Sequence, residues 1–422
     1  MTLKPRTASF AAALCTALPL AAFAAPDARL LQQAQQAQPA VVSTLKELVL
    51  IESGSANVAG LQKMADYTER RLKALGARTE RLAVSRGPGG VMVKGSFSGT
   101  GQARVLLIAH MDTVYPENTL ATQPLREDGN KLYGPGIADD KGGIAVILHA
   151  LQLLMDAGWR NYAQLTVLFN PDEEIGSIGS GEAIAALAEQ HDVVLSCEPT
   201  AAKAVAQQEA LLLGAAGTAT ATLEVKGRAS HAGAAPELGR NALVELSYQL
   251  LQTRDIAKAV PGAQLNWTTA KAGEVRNQIP EQAVAGGDVR TTQPDAAARL
   301  QAALQEKVNS SHLVPDTQAK VTMEVGRPPF VATDRGRALA QHAQSIYAEL
   351  DGRPLALVPS TGGATDAGFA GRSGKAVVVE SFGLAGFGYH ARDEYIELDS
   401  IVPRLYLMTR LLQDIGSGKA GR

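Results

Sequence analysis

Cysteine is nearly absent: two occur in 422 residues, and one of them, Cys15, lies in an apolar N-terminal run. Beyond that run only Cys197 remains, so no internal disulfide can form, and stability must rest on hydrophobic cores and any bound metal. A strong charge bias is lacking too. Forty basic residues stand against 42 acidic ones, for a formal net charge of −2, and no basic stripe appears. Nucleic acid is thereby disfavoured as a partner. Past the N-terminus there is no internal repeat, no low-complexity tract and no stretch able to cross a bilayer.

What remains is ordinary for a soluble globular enzyme, with 45% hydrophobic and 19% charged residues and length enough for two cores. Residues 1–24 read as a signal peptide. Lys4 and Arg6 precede an apolar run from Ala8 to Phe23, and Ala22-Phe23-Ala24 gives an A-x-A cleavage site. Pro19 interrupts the run and argues against a membrane anchor. Cleavage removes two basic residues and no acid, lowering the formal charge to −4. Export to the periplasm is expected, with no membrane attachment afterwards.

Apolar spacing predicts helices over Leu30–Ile51 and Val58–Leu75. Strand-like Arg104–Ala109, Gln164–Asn170 and Asp192–Ser196 then alternate with helical Gly143–Met155 and Ile184–Gln190. This is an α/β pattern, a largely parallel sheet flanked by helices. From Gly217 the order becomes β-α-β-β-α-β: strands at Thr218–Lys226, Leu265–Ala270, Ala283–Arg290 and Lys320–Val325, helices at Asn241–Leu251 and Ala296–Val308. A small two-layer domain over residues 217–326 is therefore expected, inserted between the segments 25–216 and 327–422 of a discontinuous larger domain.

Open α/β sheets bind ligands beyond the carboxyl ends of their strands. There the sequence places His110-Met111-Asp112, Asp139-Asp140, Asp172-Glu173-Glu174 and Glu198-Pro199-Thr200, with Gly388-Tyr389-His390 near the C-terminus. Each alone has a structural explanation: a bonded histidine, a helix cap, a solvated turn. Together they would crowd carboxylates that resist ionising side by side. A pair of divalent cations resolves that conflict, and imidazole with carboxylate donors suits zinc.

His110–Tyr115 (HMDTVY), Tyr133–Gly143 (YGPGIADDKGG), Val167–Glu174 (VLFNPDEE), Glu198–Thr200, Gly227–Ala242 (GRASHAGAAPELGRNA) and Gly386–His390 (GFGYH) carry a resemblance. Over essentially the whole mature chain the sequence resembles the co-catalytic zinc peptidases, a family of glucarpidase-type glutamate carboxypeptidases, acetylornithine deacetylases and aminoacylases. The resemblance implies two zinc ions per subunit, one held by His110 and Glu198, the other by Glu174 and His390, with Asp139 shared. It makes Glu173 the general base and Asp112 the residue that orients the His110 ring. It also implies a cis Asp139-Asp140 peptide bond, a dimerisation lid over the inserted domain, and a homodimer in which His231 reaches the partner's site. Asn277, Arg290, Arg327 and Thr361-Gly362-Gly363 match substrate-side positions.

The activity so implied is hydrolysis of the amide bond to a C-terminal amino acid, with glutamate of folate-type or N-acyl conjugates as the leading substrate. An N-acyl-amino-acid deacylase or dipeptidase would use the same metals, and a periplasmic binding protein would share the leader and the two lobes. One departure bears on specificity. Gln208–Gly214 reads QEALLLG where glutamate-preferring relatives are expected to carry Lys and Ser near Ala210 and Leu212, so the side-chain pocket should be more apolar. Ala364 replaces a third glycine after Gly363.

Overall fold

The computed structural model describes residues 24–421, so the expected signal peptide and Cys15 lie outside the described residues apart from Ala24. A six-stranded sheet runs in the order Arg78–Ala83, Val91–Ser98, Gln164–Asn170, Arg104–His110, Val193–Ser196, Val377–Val379. Val91–Ser98 runs against its neighbours, and the four strands beyond it are parallel to one another. The sheet is mixed and largely parallel, as expected.

Both faces of the four parallel strands are covered, which is why they are nearly continuous apolar runs. Val105, Leu107 and Ala109 pack into a large core beneath helices Ala28–Val49, Lys141–Asp156, Asp334–Ala348 and Ile401–Gly416. The alternate residues Leu106 and Ile108 enter a second core with helices Gly181–Ala188 and Ala367–Gly371. The carboxyl ends of the parallel strands are thereby held between two packed layers.

Residues 217–325 form a four-stranded antiparallel sheet, ordered Ala263–Ala272, Gln282–Thr291, Gly217–Lys226, Gln318–Val325. Alternate residues Ala219, Ala221, Leu223 and Val225 pack under helices Ala242–Thr253 and Ala296–Ser310 in a core of their own. The chain leaves and re-enters the larger unit at one crossing. There Gly326 N–H donates to Thr218 O (2.9 Å) and Thr218 N–H to Arg327 O (2.8 Å). The approach is close enough that a Cβ on Gly217 would stand 2.6 Å from Pro329 N.

Candidate active site

Four polar segments converge at the carboxyl end of the large sheet. Strand Arg104–His110 ends in His110, the strand Gln164–Asn170 leads into the short 3-10 turn Glu173–Ile175, and Val193–Ser196 leads to Glu198. Asp140 caps helix Lys141–Asp156, accepting from Gly143 N–H (3.1 Å), and its other oxygen accepts from His110 N–H (3.3 Å). The capping explanation therefore holds for Asp140 and leaves Asp139 free to face the cluster. The Asp139-Asp140 peptide bond is cis, as the resemblance implied.

Asp139 stands at the centre. Its Oδ1 lies 2.9 Å from His110 Nε2 and its Oδ2 lies 3.3 Å from His390 Nε2. Glu198 Oε1 is 3.7 Å from the same His110 nitrogen, and Glu174 Oε2 is 3.0 Å from the same His390 nitrogen. His110 turns Nδ1 onto Asp112 O (3.0 Å). Asp112 also accepts from the backbone N–H groups of Glu173 (3.0 Å) and Glu174 (3.1 Å) and from Ser55 Oγ (2.8 Å). One buried residue thus holds an imidazole through its carbonyl, with its carboxylate 3.3 Å from the same nitrogen, and through that carboxylate fixes the turn bearing two glutamates.

The electrostatics show what would complete this cluster. Burial pushes Glu198 up to about 8 and lifts Glu173, Glu174 and Asp140 above the ordinary carboxylate range. Hydrogen bonding to Asp139 and Glu174 raises His390 to about 10. Burial pulls His110 down, but Glu198, Asp112 and Asp139 outweigh it and hold the imidazole well above its usual value. Protons are retained because negative charge is crowded in a dry place. A divalent cation would supply the same compensation, and donor atoms of His110, Asp139 and Glu174, and of His110, Glu173 and Glu198, lie within 4.8 Å of one another. The oxygen and imidazole donors fit zinc.

Residues 106–414 match the peptidase family M20/M25/M40. Carboxypeptidase G2 of Pseudomonas sp. (strain RS-16) is 45% identical over 394 residues, covering 93% of each chain. The chain belongs to peptidase family M20/M25/M40. Its fold is shared by solved peptidases. A tripeptidase from Staphylococcus aureus superposes with a TM-score of 0.73 at 19% identity, covering 90% of this chain and 99% of that one. An M20 family metallo-carboxypeptidase from Sulfolobus solfataricus gives 0.70 at 16%, covering 88% and 98%. The chain is accordingly a metallopeptidase-type hydrolase, and not the binding protein that a leader and two lobes alone would also have suited.

The remaining sequence-predicted residues of this M20 hydrolase fall in two places. His231 and Asn277 are neighbours on the small unit, where strand Ser230–His231 pairs with Gln278–Ile279 and Ala232 N–H donates to Asn277 O (2.8 Å). Both are exposed, and His231 Nδ1 accepts from Gly233 and Ala234 N–H (3.1 and 3.0 Å). That leaves the proton of a neutral ring on Nε2. Arg290 holds its guanidinium on Asp288 (Nε–Oδ1 3.0 Å). Thr361, Gly362 and Gly363 form a loop beside Gly214–Ala216, with Ala216 N–H donating to Gly363 O (2.8 Å). Arg327 was expected on the substrate side, yet it is 5% exposed and pairs with Glu173 (Nη1–Oε1 2.8 Å). The cause is local: Glu173, the nearest buried carboxylate, offers both its side chain and its carbonyl oxygen (Nη2 to O 2.5 Å).

Two supporting acids escaped sequence reasoning. Glu394 is buried and accepts from the N–H groups of Gly136 (2.8 Å), Ala138 (2.8 Å) and Asp139 (3.0 Å). Glu380 accepts from Glu198 N–H (3.3 Å) and Thr365 Oγ1 (3.0 Å). Each cradles the backbone of a cluster residue from a distant segment, and a single carboxylate in a strand or loop carries no pattern that announces such a role.

Proposed function

We propose that the protein is an exported, zinc-dependent carboxypeptidase that hydrolyses the amide bond to a C-terminal amino acid, with glutamate as the leading substrate residue. The observation that carries this reading is the division of the Asp139 carboxylate, one oxygen toward His110 and Glu198, the other toward His390 and Glu174. His110 and Glu198 would hold one zinc ion, His390 and Glu174 a second, and Asp139 both. Bound zinc supplies Lewis acidity to the scissile carbonyl and to the attacking water.

The chain's own residues do the rest. Glu173 takes the proton of the attacking water and returns it to the leaving amine, a role favoured by a carboxyl whose affinity for protons is raised by burial. Asp112 keeps the His110 ring and the Glu173-Glu174 backbone in register. Residues 217–326 act as a lid and dimerisation domain, and exposed Leu243, Val244 and Leu251 on helix Ala242–Thr253 support a covered face there. In the homodimer His231 of the partner subunit donates its Nε2 proton to the developing oxyanion. Asn277 and Arg290 receive the substrate's free carboxylate, with Arg290 exchanging Asp288 for it, and Thr361-Gly362-Gly363 lines the approach. The leader directs the protein to the periplasm.

Similarity to carboxypeptidase G2 favours glutamate. A second reading, a neutral or apolar terminal residue, has its own support. Strand Glu209–Leu212 sends Leu211 into the main core, so Ala210 and Leu212 share the opposite face and offer no cation. The test is a panel of N-acyl and folate-type conjugates given to the zinc-loaded enzyme. Release of the C-terminal amino acid, stopped by a chelator and restored by zinc, is expected; release of an N-terminal residue instead would replace the carboxypeptidase by an aminopeptidase.

A further inference from the structure

Arg327 joins three parts of the molecule at once. Its backbone belongs to the crossing between the two units, where Arg327 N–H donates to Thr218 Oγ1 (3.0 Å) and Arg327 O accepts from Thr218 N–H (2.8 Å). Its guanidinium holds Glu173 through the carboxylate (2.8 Å) and the carbonyl (2.5 Å). The same group donates to Ala364 O (2.7 Å), directly after the Thr361–Gly363 loop, and to Ser177 Oγ (3.3 Å). Ser177 in turn bonds Asp366, which also accepts from Asn170 at the end of its strand (2.8 Å).

We infer that Arg327 is a positioning residue that locks Glu173 and the Thr361–Ala364 loop to the hinge of the lid, and that it does not itself receive the substrate's carboxylate. Two features carry this. The guanidinium is almost wholly enclosed, so a substrate anion would have to displace an existing buried ion pair to reach it. And the residue that holds Glu173 is the one that closes the chain crossing, so a lid displaced at Thr218 pulls on the side chain that orients Glu173. The planar fork suits the task because it spans a carboxylate and two carbonyls from one rigid group, which an ammonium cannot. The inference rests on the reading of Glu173 as general base.

The test uses full-length, zinc-loaded Arg327→Met, Arg327→Lys and Thr218→Val. For Arg327→Met, kcat should fall about 100-fold, as for a displaced general base, with KM within about threefold and zinc content unchanged. Arg327→Lys should recover part of the loss, because it restores one contact to Glu173. Thr218→Val, which leaves every contact of Glu173 in place, should lower kcat and not raise KM. A raised KM with kcat preserved in Arg327→Met would overturn the inference and return Arg327 to substrate binding. A crystal structure of zinc-loaded Arg327→Met decides independently of turnover: a displaced Glu173 carboxylate supports the inference, and an unmoved one overturns it. A wild-type enzyme that releases no C-terminal residue would refute the carboxypeptidase reading and leave the crystallographic comparison to judge Arg327.

Discussion

Removing Glu394 should weaken zinc binding although Glu394 touches neither candidate ion. Its Oε1 accepts two backbone N–H bonds, from Ala138 and Asp139, and its Oε2 accepts one, from Gly136. Lys141 is enclosed nearby and donates to Ile51 O (3.0 Å) and Pro135 O (3.2 Å); burial lowers it to about 8, and Glu394 is the foremost charge opposing that. Glu394→Ala strands three buried donors and removes the foremost charge that compensates the enclosed Lys141. Hydrogen bonds to a charged group contribute roughly 1.5–3 kcal/mol each, but they do not add, and breaking a buried charged network costs about 3–5 kcal/mol. Glu394→Gln is gentler. Its amide oxygen can serve Ala138 and Asp139, while its NH2 meets Gly136 N–H as donor against donor, a loss of about 1.5–3 kcal/mol. Part of either loss appears as a displaced Asp139, so zinc affinity should fall about 10- to 100-fold, more for Ala than for Gln. Competition with a chromogenic chelator measures it, with kcat then read at saturating zinc. Wild-type zinc affinity in Glu394→Ala would refute the idea that this carboxylate holds the Asp139 loop.

Glu173→Gln should retain zinc and lose at least about 100-fold in kcat; near-normal turnover beside full metal content would remove Glu173 from proton transfer. His231→Ala should lower kcat about 100- to 1,000-fold. Mixing it with Glu173→Gln should then restore activity, because one site of a mixed dimer has both residues intact, and mixed dimers that stay inactive would exclude a shared site. Leu212→Ser with Ala210→Lys should raise the preference for a C-terminal glutamate over leucine about ten- to a hundred-fold, from one new charged contact. A wild-type enzyme already strongly selective for glutamate would show that another group reads the side chain.

The parallel strands were legible because they are buried on both faces. Arg104–His110 and Gln164–Asn170 are short apolar runs that end abruptly in polar residues, and that ending is itself the signal for the site. The alternation in Gly217–Lys226 likewise betrayed a half-buried antiparallel strand. Strand Arg78–Ala83 went unassigned because it lies at the sheet edge, mostly exposed, and has no apolar face to announce it. His110, Asp139, Glu173, Glu174, Glu198 and His390 stood out through their motifs, and the structure brings them together. The partners that set their geometry did not. Glu394 and Glu380 act on backbone groups far away in sequence, and the pairing of Arg327 with Glu173 arises only when the lid crossing is folded against the turn at Glu173.

The central claim is that a free C-terminal carboxylate is required by an enzyme that cuts the amide bond next to it. The direct measurement is kcat/KM of the zinc-loaded protein on matched N-acyl conjugates ending in glutamate, one with a free and one with an amidated α-carboxylate. Loss of a charge-assisted fork contact predicts a preference for the free acid of at least about tenfold, from roughly 1.5–3 kcal/mol. Equal cleavage of the amidated conjugate would contradict the carboxypeptidase account.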